Sequence, residues 1–140
     1  MQTSATGRRL IEDFEGFSPT AYKDQRGIWT IGYGHTQGVV EGMVCTLVQA
    51  DAYLEADLAT AEGAVNKVPA PLNCNQFDAL VSLCFNIGSG NFAGSTLLKL
   101  LNASDFANAA LEFDKWDKSG GQVVAGLLRR RIAETQEFQS

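Results

Sequence analysis

The stretch EGFSPTAYKDQRGIWTIGYGH, Glu15–His35, decides how the rest of the chain is read. It begins where an amphipathic helix ends. Leu10, Ile11 and Phe14 share one helical face over residues 5–14, with Ser4 as the expected N-cap and Gly16 as the stop. From Pro19 to Gly34 the residues favour extended chain, with Tyr22, Trp29, Thr30, Ile31 and Tyr33 as strand formers. Gln25-Arg26-Gly27 predicts a hairpin turn. Gly32 and Gly34, set between bulky residues, predict bulges or close backbone approach.

Beyond this stretch the chain reads as helices. Thr46 and Gln49 predict a capping box, and a helix of about 20 residues, about 30 Å long, follows to Val65. Its apolar stripe is Leu47, Leu54, Leu58, Ala61 and Val65. After the break at Pro69-Ala70-Pro71, Asn73 and Gln76 open the best core helix, marked by Phe77, Leu80, Val81, Cys84 and Phe85. Ser95 or Thr96 starts a short helix. Ser104 is the expected cap of another, reaching Trp116. Ser119-Gly120-Gly121 reads as a flexible link, and 124–138 as the last helix. Strands early and helices afterwards make an α+β protein. The expected division is a β-containing lobe over 15–45, a bridging helix over 46–66, and a helical lobe over 70–140 that includes helix 5–15. A cleft between lobes is the default ligand site.

Composition narrows the function classes. With 140 residues, 45% hydrophobic and 19% charged, the chain suits one globular domain and not a disordered one. A net charge of −5 argues against nucleic acid as a partner. No stretch approaches the roughly 18 apolar residues of a membrane span, and no apolar signal-peptide core opens the chain. Three cysteines without a CxxC, and a single histidine, make a poor disulfide framework and a poor zinc site. Buried free thiols, no metal and no cofactor are expected.

Glu15 and Asp24 are the chemical candidates. Glu15 ends a helix between Phe14 and Phe17, where the dipole and the apolar flank favour a protonated acid. Asp24 sits by a turn and is expected to stay ionised. Carboxyls pushed apart in this way divide into acid and base. Thr30 stands across the predicted turn, able to share a water with Asp24. By spacing alone, such acids are more often solvated surface charges.

The stretch resembles the active-site signature of the phage-type lysozymes, glycoside hydrolase family 24. Glu15, eight residues, Asp24, five residues and Thr30 reproduce its pattern, inside Glu15-Gly16, Ala21-Tyr22-Lys23-Asp24, Gly27 and Thr30-Ile31-Gly32-Tyr33-Gly34-His35. The likeness continues through Phe85-Asn86-Ile87-Gly88, Phe92, Ser95-Thr96-Leu97-Leu98, Leu101-Asn102, Trp116 and Gly126-Leu127 with Arg129-Arg130-Arg131. It implies a lysozyme-like fold and an inverting muramidase acting on peptidoglycan glycan strands. Glu15 would be the general acid, and Asp24 with Thr30 would hold and activate water. Inversion implies carboxyls about 6.5–9.5 Å apart. Phe85 would line the sugar-binding wall, with a plain core aromatic as the other reading. His35 would line the cleft or, in the favoured reading, brace the β segment to a helix through a carboxylate. One of Arg129, Arg130 and Arg131, with Arg130 or Arg131 favoured, would pair with Glu15; an arginine run is otherwise a solvated face, or a contact for acidic stem peptides of the wall. The resemblance further implies a monomeric phage or prophage endolysin, made in the host cytoplasm and reaching the periplasmic wall through a separate pore. A lytic transglycosylase and a non-enzymatic glycan-binding relative are the alternatives. The acidic charge departs from the basic character common in the family.

Overall fold

The computed structural model describes all 140 residues. Its elements run α1 Ala5–Glu15, β1 Ser18–Lys23, β2 Trp29–Gly32, α2 Leu47–Asn66, α3 Cys74–Ile87, α4 Ser89–Ala93, α5 Thr96–Asn102, α6 Phe106–Glu112, a 3-10 turn Phe113–Trp116, β3 Lys118–Ser119, β4 Gln122–Val123 and α7 Ala125–Gln139. The fold is mostly helical, with two small antiparallel sheets. No helix is long and apolar enough to cross a membrane.

The chain divides into two compact units. The smaller is Arg9–Ala59. In it β1 and β2 pair antiparallel, Tyr22 opposite Thr30 and Lys23 opposite Trp29, with a register irregularity between Ser18 and Tyr22. Ile31, Val39, Cys45 and Ala50 form its core, and Trp29, Tyr33, Met43 and Tyr53 pack against it. The Thr46–Gln49 capping box opens α2 as expected: the Gln49 N–H donates to Thr46 Oγ1 at 3.1 Å and the Thr46 N–H to Gln49 Oε1 at 2.9 Å. Leu54 and Leu58 are buried in the predicted stripe, but Leu47 is exposed.

The larger unit is Met1–Arg8 with Thr60–Ser140. Asn73 and Gln76 cap α3 reciprocally, and α3 packs most extensively against α7. Phe77, Leu80, Leu83, Phe92, Leu101 and Phe113 are fully buried there. The N-terminal residues are tied down by side chains. Thr3 donates from N and Oγ1 to Glu62 Oε2 at 2.6 and 2.7 Å, and Ser4 donates from N and Oγ to the buried Asp78.

Four sequence expectations change here. Ser104 does not cap α6; it takes φ +60° and hands the cap to Asp105, whose carboxylate accepts from the Asn108 N–H at 3.2 Å. The helix expected to reach Trp116 tightens into a 3-10 turn at Phe113, and Leu111, in the last turn of α6, is exposed. The predicted link at 119–121 is the tip of a two-residue hairpin. Gly120 and Gly121 have φ +59° and +81°, the left-handed pair that a tight β-turn requires. Of the three thiols, Cys45 and Cys84 are buried but Cys74, the first residue of α3, is exposed.

Candidate active site

Glu15, Asp24, Thr30 and His35 all lie in the smaller unit. Glu15 is the last residue of α1, and the Gly16 N–H closes that turn on Glu12 O at 2.8 Å. Phe14 and Phe17 are both more exposed than an apolar flank requires, at 36% and 38%. Gly34 stands against the Glu15 carboxyl. A Cβ placed on Gly34 would stand 2.6 Å from Glu15 Oε1, and Gly34 has φ +75°. Only glycine satisfies both the conformation and the approach. The expected close approach in the Gly32–Gly34 segment is therefore an approach to the proposed acid.

Asp24 leads the β1–β2 turn. Its Oδ1 accepts from the Arg26 N–H at 2.8 Å and the Ile28 N–H at 2.9 Å. The backbone N–H of Ile28, foremost, and that of Arg26 hold the carboxyl below the usual aspartate range, against some desolvation; the Arg26 charge helps. Oδ2 lies 3.8 Å from the exposed Arg26 guanidinium. Oδ1 of Asp24 is thus hydrogen-bonded by the turn, while Oδ2 accepts no hydrogen bond from it and meets only the exposed Arg26 charge.

Thr30 is buried on β2, and its hydroxyl donates to Ile28 O at 2.9 Å. The same carbonyl accepts the Asp24 N–H at 2.9 Å. The Ile28 peptide therefore fixes Asp24 from both of its ends and orients Thr30. With its proton committed, Thr30 Oγ1 presents lone pairs. Ile28 carries this role through its backbone, so its side-chain identity gives no sign of it.

His35 Nδ1 meets Asp57 Oδ2 at 2.8 Å, and its ring stacks on Tyr53 at 4.3 Å and 6°. Both partners are on α2. The histidine thus joins the chain after β2 to the helix, which is the bracing geometry. Asp57 and Tyr53 lie one turn apart, a spacing that fits a single partner but does not name it.

Phe85, Arg130 and Arg131 belong to the larger unit. Phe85 is half-buried in the last turn of α3. Arg130 and Arg131 are buried, so only Arg129 of the run is the solvated residue first expected. Both buried arginines meet Glu134 on the same helix. Arg131 Nε is 3.1 Å from Glu134 Oε1, and Arg130 Nε donates to Oε2 at 3.3 Å. Ser82 of α3 donates its hydroxyl to Glu134 Oε2 at 2.5 Å. Burial pushes the Glu134 carboxyl up, while Arg131, Arg130 and the Ser82 hydroxyl oppose the rise. Arg131 Nη2 continues outward to Asn86 Oδ1. Glu134 stands at helical spacing from Arg130 and Arg131, but a charged i,i+3 and i,i+4 set reads as an exposed face; its burial against Ser82 and the Arg131–Asn86 contact span 52 and 45 residues and leave no local signal.

A family model for phage lysozyme matches residues 12–134. The chain belongs to the phage lysozyme family. Its relatives include an endolysin of Acyrthosiphon pisum secondary endosymbiont phage 1, 43% identical, with 100% of this chain and 99% of the relative aligned. The endolysin of Salmonella phage P22 is 44% identical, with 94% of each chain aligned. Among solved structures, the muramidase domain of SpmX from Asticaccaulis excentricus superposes with a TM-score of 0.93 at 43% identity, covering 99% of this chain and 98% of that one. The lysozyme-like α+β expectation agrees with this family's architecture.

Proposed function

We propose that this phage lysozyme family member is an endolysin that hydrolyses the β-1,4 bond between N-acetylmuramic acid and N-acetylglucosamine in peptidoglycan, with inversion. The observation that carries the mechanism is the Ile28 peptide, which ties the Asp24 carboxylate and the Thr30 hydroxyl into one unit. Two rigid acceptors a few residues apart suit a water molecule. Asp24 Oδ2 takes the proton of that water, and Thr30 Oγ1 accepts its second hydrogen. Glu15 gives its proton to the glycosidic oxygen as the C1–O bond breaks. The water then attacks C1 from the face opposite the leaving group, and a reducing end of inverted configuration results. Asp24 supports this role because its backbone donors stabilise the carboxylate, the form that a general base needs.

Phe85 is assigned to the glycan-binding wall. His35 acts through the position of the β segment, and Arg130 and Arg131 act through Glu134 and Asn86. The enzyme works as a monomer on the bacterial wall, after synthesis in the host cytoplasm and passage through a separate pore. It needs no metal or cofactor for this chemistry, since both proton transfers are assigned to carboxyl groups.

Proton NMR of the first turnovers on soluble murein glycan tests the reading. An inverted anomer at the new reducing end is expected, and Glu15→Gln should remove it. A 1,6-anhydro end would replace hydrolysis by transglycosylation. Equal clearing of permeabilised cells by the wild type and Glu15→Gln would end the catalytic claim.

A further inference from the structure

The Ser82–Glu134–Arg131 chain of contacts ends at Asn86, whose amide nitrogen takes no part in the proton transfers above. Asn86 lies in the last turn of α3, next to Phe85, and is exposed. Its Oδ1 meets Arg131 Nη2 at 2.5 Å. A guanidinium donates and never accepts, so the atom facing it must be the amide oxygen. The flip of Asn86 is thereby decided. Its Nδ2 turns away from Arg131 with both N–H groups, and no acceptor in the chain takes them. Arg131 is fully buried and held by Glu134, which Ser82 and Arg130 hold in turn. An exposed amide on a surface is ordinarily free to rotate. This one is anchored from inside by a buried ionic cluster.

We infer that Asn86 is a substrate-binding residue that donates from Nδ2 to the carbonyl oxygen of a 2-acetamido group on the glycan. A pair of N–H donors with its acceptor end committed is complementary to a pure acceptor. Along a murein strand three pure acceptors recur on every sugar, the ring oxygen, the glycosidic oxygen and the acetamido carbonyl, and the amide carbonyl is the strongest of them and the one that projects from the ring. A hydroxyl both donates and accepts, and would leave its own proton without a partner here. The preorganised orientation means that little rotamer freedom is lost on binding. This inference rests on the muramidase reading, and it adds a determinant for the N-acetylated form of the wall.

Binding is measured in the Glu15→Gln background, so that turnover does not enter. Asn86→Asp keeps an acceptor for Arg131 and removes both donors; Asn86→Ala removes both functions. Titration calorimetry is run with soluble N-acetylated glycan strands and with the same strands after de-N-acetylation. Loss of one hydrogen bond predicts about three- to tenfold weaker binding of the acetylated strand by both variants. On the de-N-acetylated strand, Asn86→Asp should bind no more weakly than the parent. Thermal unfolding separates folding from binding, because Asn86→Asp should melt at or above the parent temperature. Unchanged affinity of Asn86→Asp for the acetylated strand, or an equal loss on both strands, overturns the inference. Failure of the wild type to release reducing ends would instead overturn the muramidase reading, and it would show in a separate assay.

Discussion

Gly34→Ala isolates the contact that places the proposed acid. Its new Cβ would start 2.6 Å from Glu15 Oε1, whereas ordinary van der Waals contact begins at 3.4 Å. The carboxyl or the Gly34 backbone must therefore move by about 0.8 Å. A misplacement of about 1 Å at a reacting group costs on the order of 100-fold in rate, so kcat should fall about 30- to 100-fold. The substitution also places alanine at φ +75°, which costs about 1–2 kcal/mol in the left-handed region. In a chain of 140 residues that lowers Tm by roughly 3–7 °C. Gly38→Ala is the matched control. Gly38 has φ +73°, and nothing lies within 4 Å of the point where a Cβ would stand, so this variant should share the loss in Tm and keep full rate. Release of reducing ends from soluble murein, measured well below both melting temperatures, gives kcat for each variant. If Gly34→Ala is as fast as Gly38→Ala, then either the Glu15 carboxyl is not the acid or its placement does not depend on Gly34.

Asp24 has a folded pKa below the ordinary aspartate value of 3.8, through the Ile28 and Arg26 amides. A depressed carboxyl stabilises the fold above its unfolded pKa and loses that contribution as pH falls through the folded value. The Asp24 carboxyl resonance in a 13C NMR titration should therefore shift below about pH 4, and a midpoint above it would contradict the turn geometry. Glu134→Gln removes the carboxylate that both buried arginines meet. Breaking such a pair costs about 3–5 kcal/mol, readable as a lower urea midpoint, and a change below about 1 kcal/mol would show that the cluster is not a stabilising unit. Cys84, whose thiol burial pushes up to about 11, should resist iodoacetamide in the folded protein at neutral pH, while exposed Cys74 reacts. Mass spectrometry of labelled peptides distinguishes them.

Much of the fold was legible because its signals are local. The capping boxes at Thr46–Gln49 and Asn73–Gln76 each close over three residues, and both helices begin where those boxes place them. The Gln25–Gly27 turn is equally local, and it delivers strands β1 and β2. Misreadings arose where two local signals compete. Ser104 and Asp105 are both good caps, and Asp105 prevails as Ser104 takes a left-handed backbone. At 118–123 a glycine pair reads equally as slack or as a tight turn, and four flanking residues pairing across it make the turn.

By itself, the sequence determined the family, through the Glu15, Asp24 and Thr30 spacing, and the order of helices and strands. Only the tertiary structure decided which atoms of those residues remain available. It brings Gly34 against Glu15, commits Asp24 Oδ1 to the turn, and directs the Thr30 proton to Ile28 O. It also buries Arg130 and Arg131 around Glu134 and anchors Asn86. The physical reason is range. Helix periodicity and caps are set within about four residues, whereas the contacts of Ser82 with Glu134 and Asn86 with Arg131 span 52 and 45 residues and exist only once α3 packs on α7.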